Sequence, residues 1–170
     1  LKSLRLPLLL CSLATFLCTC DPAPQTLFRE RTDAGVDNLN QLTETEDFNI
    51  IEYLYFYNGG GVAATDISGD GLPDLYFTNN QGPNKYYINE GNFRFCDATD
   101  EGGVAGTGDW STGASVVDVN ADGLMDIYVS NVSGYKHLEG KNELFIQQQD
   151  GTFVEAAADY GLDFAGFNTQ

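Results

Sequence analysis

Two short runs of the chain place oxygen-bearing side chains at matching intervals. With the first aspartate of each run as position one, the first carries Asp66, Ser68, Asp70 and Asp74 at positions one, three, five and nine. The second carries Asp118, Asn120, Asp122 and Asp126 at the same positions. Gly71 and Gly123 follow position five. Glycine there permits the sharp bend that turns alternate side chains onto one centre. The backbone carbonyl at position seven, from Leu72 or Leu124, adds a further oxygen. A donor set made only of oxygens and rich in carboxylates suits a hard cation such as Ca²⁺, not zinc. A helix–loop–helix calcium site would need Glu at position twelve, where this chain has Phe77 or Val129. The expectation is a calcium loop between strands. The two runs are identical at positions one, five, six, seven and nine, which sets them apart from ordinary Asp-Gly turns. Carboxylates crowded at about 4 Å repel by about 4 kcal/mol per pair at an effective dielectric of 20. A divalent ion would turn that repulsion into a clamp, so the expected role of the metal is structural.

The loops belong to a longer repeat. Residues 61–79 match residues 113–131, and Asp66 and Asp118 lie 52 residues apart. Downstream, residues 84–89 match residues 142–147 at an offset of 58, so the second copy carries a six-residue insertion, placed around residues 134–140. Residues 95–104 match residues 153–162, and residues 28–36 are a shorter version of the same element. Residues 167–170 align with residues 110–113. By that register the chain stops inside a repeat and reads as the N-terminal piece of a longer protein. A period near 50 residues signals a modular array such as a propeller or solenoid.

Short β-branched and aromatic runs bounded by Gly, Asn or Asp predict strands. They fall at residues 61–65, 75–78, 85–89 and 92–96, with second-copy counterparts at 127–130, 143–147 and 152–155. Asp150-Gly151 is a tight hairpin signal. Four strands per unit is the module of a β-propeller blade, so the fold class is all-β. Residues 38–47 are polar and predict an irregular connection. Residues 50–57 are apolar and aromatic and predict an extra strand or short helix beside the first blade.

These repeats resemble FG-GAP/VCBS repeats, found in integrin-like β-propellers and in many secreted bacterial proteins. The resemblance covers roughly Phe48 to Gln170. It implies Ca²⁺ on Asp66, Ser68, Asp70, Leu72 and Asp74, and on Asp118, Asn120, Asp122, Leu124 and Asp126. Tyr57-Asn-Gly-Gly-Gly61-Val-Ala and Gly71-Leu-Pro-Asp74-Leu-Tyr-Phe-Thr carry a narrower match. Through them the chain resembles large VCBS-repeat or ASPIC/UnbV-type lipoproteins of Gram-negative bacteria. The expected organisation is a signal peptide at 1–19, an N-terminal strand and linker at 20–47, and a first blade at 48–109. A second blade follows at 110–162, and the start of a truncated third at 163–170. The strand near Leu27–Arg31 is expected to complete a blade formed by sequence beyond residue 170. Two blades without their neighbours should unfold with little cooperativity.

Lys2 and Arg5 precede an apolar run from Leu6 to Leu17 that Asp21, Pro22 and Pro24 interrupt. That run is too short to span a bilayer and has the form of a secretory signal. Leu17-Cys18-Thr19-Cys20 resembles a bacterial lipobox, which makes Cys20 the lipidated residue and the membrane anchor. Loss of Lys2 and Arg5 would change the net charge from −17 to −19. Cys11, Cys18 and Cys20 then belong to export, and Cys96 alone remains, so there is no disulfide framework. Cys96 reads as a semi-buried small hydrophobe. The Asn131-Val132-Ser133 triplet has the form of an N-glycosylation acceptor, without meaning in a bacterial host.

Lys and Arg total 8 against 25 Asp and Glu. A surface so acidic repels phosphate backbones, which disfavours nucleic-acid partners. His137, in the insertion, reads as a solvated surface residue. Ser111, Ser115 and Ser130 have no identifiable base. Trp110 reads as packing between blades, while Tyr135 and Tyr160 are candidate sugar contacts. The leading expectation is a non-enzymatic, calcium-stabilised propeller on the bacterial outer membrane that binds a cell-surface protein or glycan. The alternative is the N-terminal part of a secreted glycan-active enzyme, or of a nutrient-uptake accessory, whose active region lies beyond residue 170. Cys20→Ser should release a soluble product whereas Cys18→Ser should not. Labelling with a palmitate analogue and membrane fractionation check this, and Cys20→Ser protein that stays in membranes and stays labelled would refute it.

Overall fold

The computed structural model describes residues 27–107 and 110–168. The expected signal peptide and Cys20 lie outside the described residues. The chain divides into two compact units, Leu1–Arg31 and Thr32–Gln170. In the first, residues 27–31 form no strand. The second carries two four-stranded antiparallel sheets.

The first sheet runs in chain order through β1 (Val62–Thr65), β2 (Asp74–Phe77), β3 (Lys85–Asn89) and β4 (Phe95–Asp97). After a single helical turn, α1 (Thr99–Gly102), the second sheet begins with β5 (Ser111–Val117) and β6 (Asp126–Asn131). A separate two-stranded ribbon, β7 (Ser133–Tyr135) and β8 (Leu138–Glu139), follows. The sheet is completed by β9 (Glu143–Gln147) and β10 (Phe153–Glu155). Successive strands are hydrogen-bonded neighbours, as in the blades of a β-propeller. The insertion expected as a loop is therefore a small β-ribbon. β4 starts later than predicted because Asn92 and Phe93 take φ of 54° and 59°, which places them in the turn. Cys96 is exposed on that edge strand, not semi-buried, because its sheet neighbour β3 lies on one side alone.

The largest apolar cluster lies between the two sheets. Ile67, Tyr76, Tyr86 and Val104 from the first repeat meet Ile127, Val129, Phe145 and Phe153 from the second. Neither sheet buries this face alone, so each blade is a wall of the other's core. The repeat is also exact in its turn contacts. Ala98 N donates to Tyr86 O at 2.9 Å, and Ala156 N to Leu144 O at 2.8 Å. Tyr76 Oη donates to Val104 O at 2.8 Å, and Tyr128 Oη to Leu162 O at 3.2 Å.

Two segments before β1 pack on the sheets without joining them. Residues 38–47 are irregular, as expected, and the stretch from residue 34 to 43 is stitched to the first sheet. Phe95 N donates to Ala34 O at 2.8 Å, Tyr87 Oη to Asp37 at 2.7 Å, and Asn79 Nδ2 to Asn38 Oδ1 at 2.9 Å. Residues 50–57 are neither strand nor helix but successive turns, with Tyr53 N donating to Asn49 O and Phe56 N to Tyr53 O. They turn Tyr53 and Phe56 inward, beside Phe48, onto Trp110, Val132 and Leu138. The expected packing beside the first blade is therefore corrected: Trp110 at the start of the second repeat is the larger apolar target. Phe48 lies edge-on to Trp110 at 5.0 Å and to the exposed His137 at 4.9 Å. Such aromatic pairs add about 0.5–1.5 kcal/mol each beyond area burial. Trp110 is 1% exposed. Trp110→Ala should cost about 3–5 kcal/mol, measured by urea unfolding, and a loss below about 1 kcal/mol would show the cluster to be peripheral.

Candidate functional site

The two Asp-rich loops join β1 to β2 and β5 to β6, and backbone amides organise them. In the first, Asp66 Oδ1 accepts from the amides of Gly69 at 2.8 Å and Asp70 at 3.0 Å, and Oδ2 from Gly71 at 2.9 Å. Asp70 Oδ1 accepts from the Leu72 amide at 2.8 Å. In the second, Asp118 accepts from Asp122 and Gly123, and Asp122 from Leu124. Asn120 Oδ1 accepts from the Asp122 amide, while its Nδ2 donates to the Asp122 carboxylate at 2.9 Å. Ser68 is exposed. Gly71 and Gly123 both have φ of +88°, the left-handed bend that glycine adopts without strain.

Position nine differs from the rest. Asp74 and Asp126 are each 0% exposed. Asp74 Oδ2 accepts from Ile67 at 3.0 Å and Ser68 at 2.7 Å, and Oδ1 from Asn89 at the end of β3 at 2.8 Å. Asp126 Oδ2 accepts from Val119 at 3.0 Å, and Oδ1 from Gln147 at the end of β9 at 2.9 Å. Each carboxylate ties the mouth of its loop to the third strand of its blade. A side-chain bond supports each tie, with opposite polarity in the two copies. Asn89 Nδ2 donates to Pro73 O, because proline has no amide to offer, whereas Gln147 Oε1 accepts from the Met125 amide. The first loop's charge is felt in the core between the blades. Burial pushes the Tyr86 hydroxyl well above the ordinary tyrosine range, and Asp74, Asp70 and Asp66 push it further.

By donor type both loops fit a hard cation, since carboxylate, hydroxyl and amide oxygens are present at the predicted positions. The structure gathers each set within one loop but turns its carboxylates to amides. Among the described residues no three His, Cys, Asp or Glu side chains converge as a metal-holding group.

A second recurring constellation carries no predicted role. Asn79 N donates to Asn84 Oδ1 at 2.9 Å, and Asn131 N to Asn142 Oδ1 at 2.9 Å. Asn79 Nδ2 donates to Pro83 O and Asn131 Nδ2 to Lys141 O, both at 2.6 Å. Glu143, buried between the repeats, accepts from Asn131 Nδ2 at 3.0 Å and from Thr107 N and Oγ1 at 2.8 Å. The signal was visible in the sequence, because these asparagines recur at the repeat offsets of 52 and 58.

Residues 66–129 match the FG-GAP-like repeat. The match opens on Asp66 and ends on Val129 inside β6, so it spans both loops and the strands between them. FG-GAP-like repeats are typical of integrin-like binding modules. Curated relatives are vertebrate proteins named cartilage acidic protein 1. The human protein is 34% identical over 79 residues, which is 46% of this chain and 12% of that protein. The mouse protein is 33% identical over 76 residues, 45% of this chain and 12% of the relative. The Xenopus tropicalis protein is 32% identical over 92 residues, 54% of this chain and 13% of the relative. The chain thus spans about an eighth of the relatives it matches.

The two loops within the FG-GAP-like match place their oxygens in two environments, and substitution should separate them. Asp74→Ala strands the buried amides of Ile67 and Asn89 and the part-buried amide of Ser68, each worth about 1 kcal/mol or more, and should cost about 3 kcal/mol or more in urea unfolding. Asp70→Ala, at an exposed position, should cost less than about 1 kcal/mol. Equal losses would contradict this division.

Proposed function

We propose that the chain is part of a calcium-stabilised propeller of the bacterial cell envelope that serves as a binding or adhesion module. The observation that carries this reading is the pair of equivalent oxygen-rich loops within the FG-GAP-like match. In this reading Asp66, Ser68, Asp70, the Leu72 carbonyl and Asp74 hold one ion. Asp118, Asn120, Asp122, the Leu124 carbonyl and Asp126 hold the other. The ion supplies charge neutralisation. The chain's own part is to fix the loop mouths through Asp74 and Asp126, so that taking up an ion asks only the outer carboxylates to turn from the loop amides they accept from. The partner is a cell-surface protein or glycan, and the lipid on Cys20 holds the propeller at the membrane. The net charge of −17 sets nucleic acid aside as a partner.

For extracellular-type sites with Kd of about 10⁻⁴ M, 1 mM Ca²⁺ should stabilise the protein by about 1.4 kcal/mol per site. Asp70→Ala and Asp122→Ala should each remove one site in calorimetry. Labelled protein should be retained on intact cells in calcium and lost with a chelator or with the double variant. Absence of binding heat together with an unchanged melting temperature on chelation would overturn the calcium reading. Retention that ignores both chelator and variant would separate binding from the metal.

A further inference from the structure

Four steps of the chain put glycine directly after Asn or Asp: Asn58-Gly59, Asp70-Gly71, Asp122-Gly123 and Asp150-Gly151. Each carries the two halves of one reaction. The glycine nitrogen can attack the side-chain carbonyl carbon of the residue before it and close a five-membered imide. Glycine resists this least, because no Cβ crowds the approach of its backbone. A neutral side-chain amide accepts the attack, whereas an ionised carboxylate repels it by charge. Asparagine is accordingly a thermolabile residue, and Asn58-Gly59 is the one Asn-Gly step of the chain.

The fold restrains the three Asp-Gly steps. Gly71 N donates to Asp66 Oδ2 and Gly123 N to Asp118 Oδ2, both at 2.9 Å. Ring closure takes the proton from that nitrogen, and a carboxylate beside it opposes the negative charge that develops. The Asp70 and Asp122 carboxylates are themselves occupied by the amides of Leu72 and Leu124 at 2.8 Å. In the hairpin, Gly151 N donates to Gln148 O at 3.0 Å. Asp150 Oδ1 accepts there from the Thr152 amide at 3.1 Å and from its hydroxyl at 2.7 Å.

Asn58-Gly59 has none of these restraints. It lies between the turns of residues 50–57 and β1, in neither strand nor helix. The Asn58 backbone amide donates to Tyr55 O at 3.1 Å, and Gly59 O accepts from Asn80 Nδ2 at 3.2 Å. The reacting atoms are not engaged: among the described residues, the Asn58 side chain and the Gly59 amide have no hydrogen-bond partner. Asn58 is exposed, and a Cβ built on Gly59 would meet nothing within 4 Å. Both residues line a cavity of about 450 Å³ beside β1 and β5, which gives the ring room and water access.

We propose that Asn58 is a site of spontaneous deamidation. Gly59 N bonds to Asn58 Cγ, the bond from Cγ to Nδ2 breaks, and the side-chain nitrogen leaves as ammonia with the proton from Gly59 N. Water then adds to one of the two carbonyls of the imide and opens the ring. Opening on one side gives aspartate, and on the other isoaspartate. The product brings a carboxylate to a cavity whose described lining residues include no Asp, Glu, Lys or Arg. Isoaspartate also carries the former side-chain carbon within the main chain, just ahead of Gly60. A Cβ on Gly60 would sit 1.7 Å from Thr78 O, so the backbone there has little room to absorb the added length.

The full chain is kept in warm, mildly alkaline buffer, folded and in urea. Peptides are then mapped by mass spectrometry, with isoaspartate scored by enzymatic methylation. In the folded chain Asn58 should convert about tenfold faster than Asn92 and Asn120, which are also exposed but precede Phe93 and Ala121. The Asp-Gly steps should stay free of isoaspartate until urea releases them. Gly59→Ala should slow the conversion about tenfold. Because Gly59 has φ of +80° and alanine is strained there, Asn58→Gln serves as the second variant and should remove the signal without touching the backbone. Conversion of Asn58 no faster than that of Asn92 and Asn120, or a rate indifferent to both variants, would overturn the proposal. Isoaspartate at Asp70 and Asp122 in the folded chain would overturn the protection assigned to Asp66 and Asp118.

Discussion

A buried carboxylate met by backbone amides from two directions is the constraint on which both blades depend. Removing Asp74 or Asp126 from water carries a desolvation cost of several kcal/mol. The cost is bearable because backbone amides from two directions meet the same group. Those amides belong to the loop mouth and to the end of the third strand. Satisfying one charge therefore fixes the loop, the register of the second strand and the reach of the third. Hydrogen bonds to an ionised group are stronger than neutral ones, so three short strands can be held where sheet length alone would leave them marginal. The loop's outer oxygens are then presented at the surface by a frame that is already rigid.

The blades are joined by a different chemistry. Apolar side chains from both sheets share one cluster, and the asparagine pairs with Glu143 form a polar seam beside it. The seam has a directional logic. Ser111 N donates to Asn79 O at 3.3 Å, one residue after Trp110. Asn168 Nδ2 donates to Asn131 O at 3.2 Å, one residue after Phe167. The residue after the aromatic at the start of each repeat thus reaches the carbonyl of the asparagine at the end of the preceding second strand, by its backbone amide in one copy and by its side-chain amide in the other.

Much of this was legible in the sequence because the repeat doubled every signal. The oxygen spacing and the position-six glycines each appear in a context that a second copy checks. The register of Phe167 with Trp110 was read from four residues, and the residues that follow these two reach the preceding asparagine carbonyls through different groups. Other features escaped for physical reasons. Nothing in the spacing distinguishes position nine from positions one and five, because position nine is closed off by the loop mouth and the end of the third strand, which lies 15 or more residues further along the chain. Residues 50–57 have strand-like composition, yet Trp110, more than 50 positions away, decides where Tyr53 and Phe56 point. Cys96 follows an aromatic in a short apolar run, but an edge strand turns it to solvent. The ribbon β7–β8 hides in an insertion for which the first repeat has no counterpart.

The seam at Asn131 bears on how the protein can be made. Asn131 is 0% exposed and gives its side-chain amide to Lys141 and Glu143, yet it opens an Asn-Val-Ser acceptor triplet. In a yeast or mammalian secretory host the oligosaccharide is attached to the nascent, still extended chain. A glycan on Asn131 Nδ2 would occupy the atom that closes the seam and would need volume that the folded blade does not have. Material produced that way would divide into an unmodified, foldable fraction and a modified fraction unable to dock its second blade. Bacterial production, or a Ser133→Ala change that erases the acceptor while leaving Asn131 in place, avoids the loss.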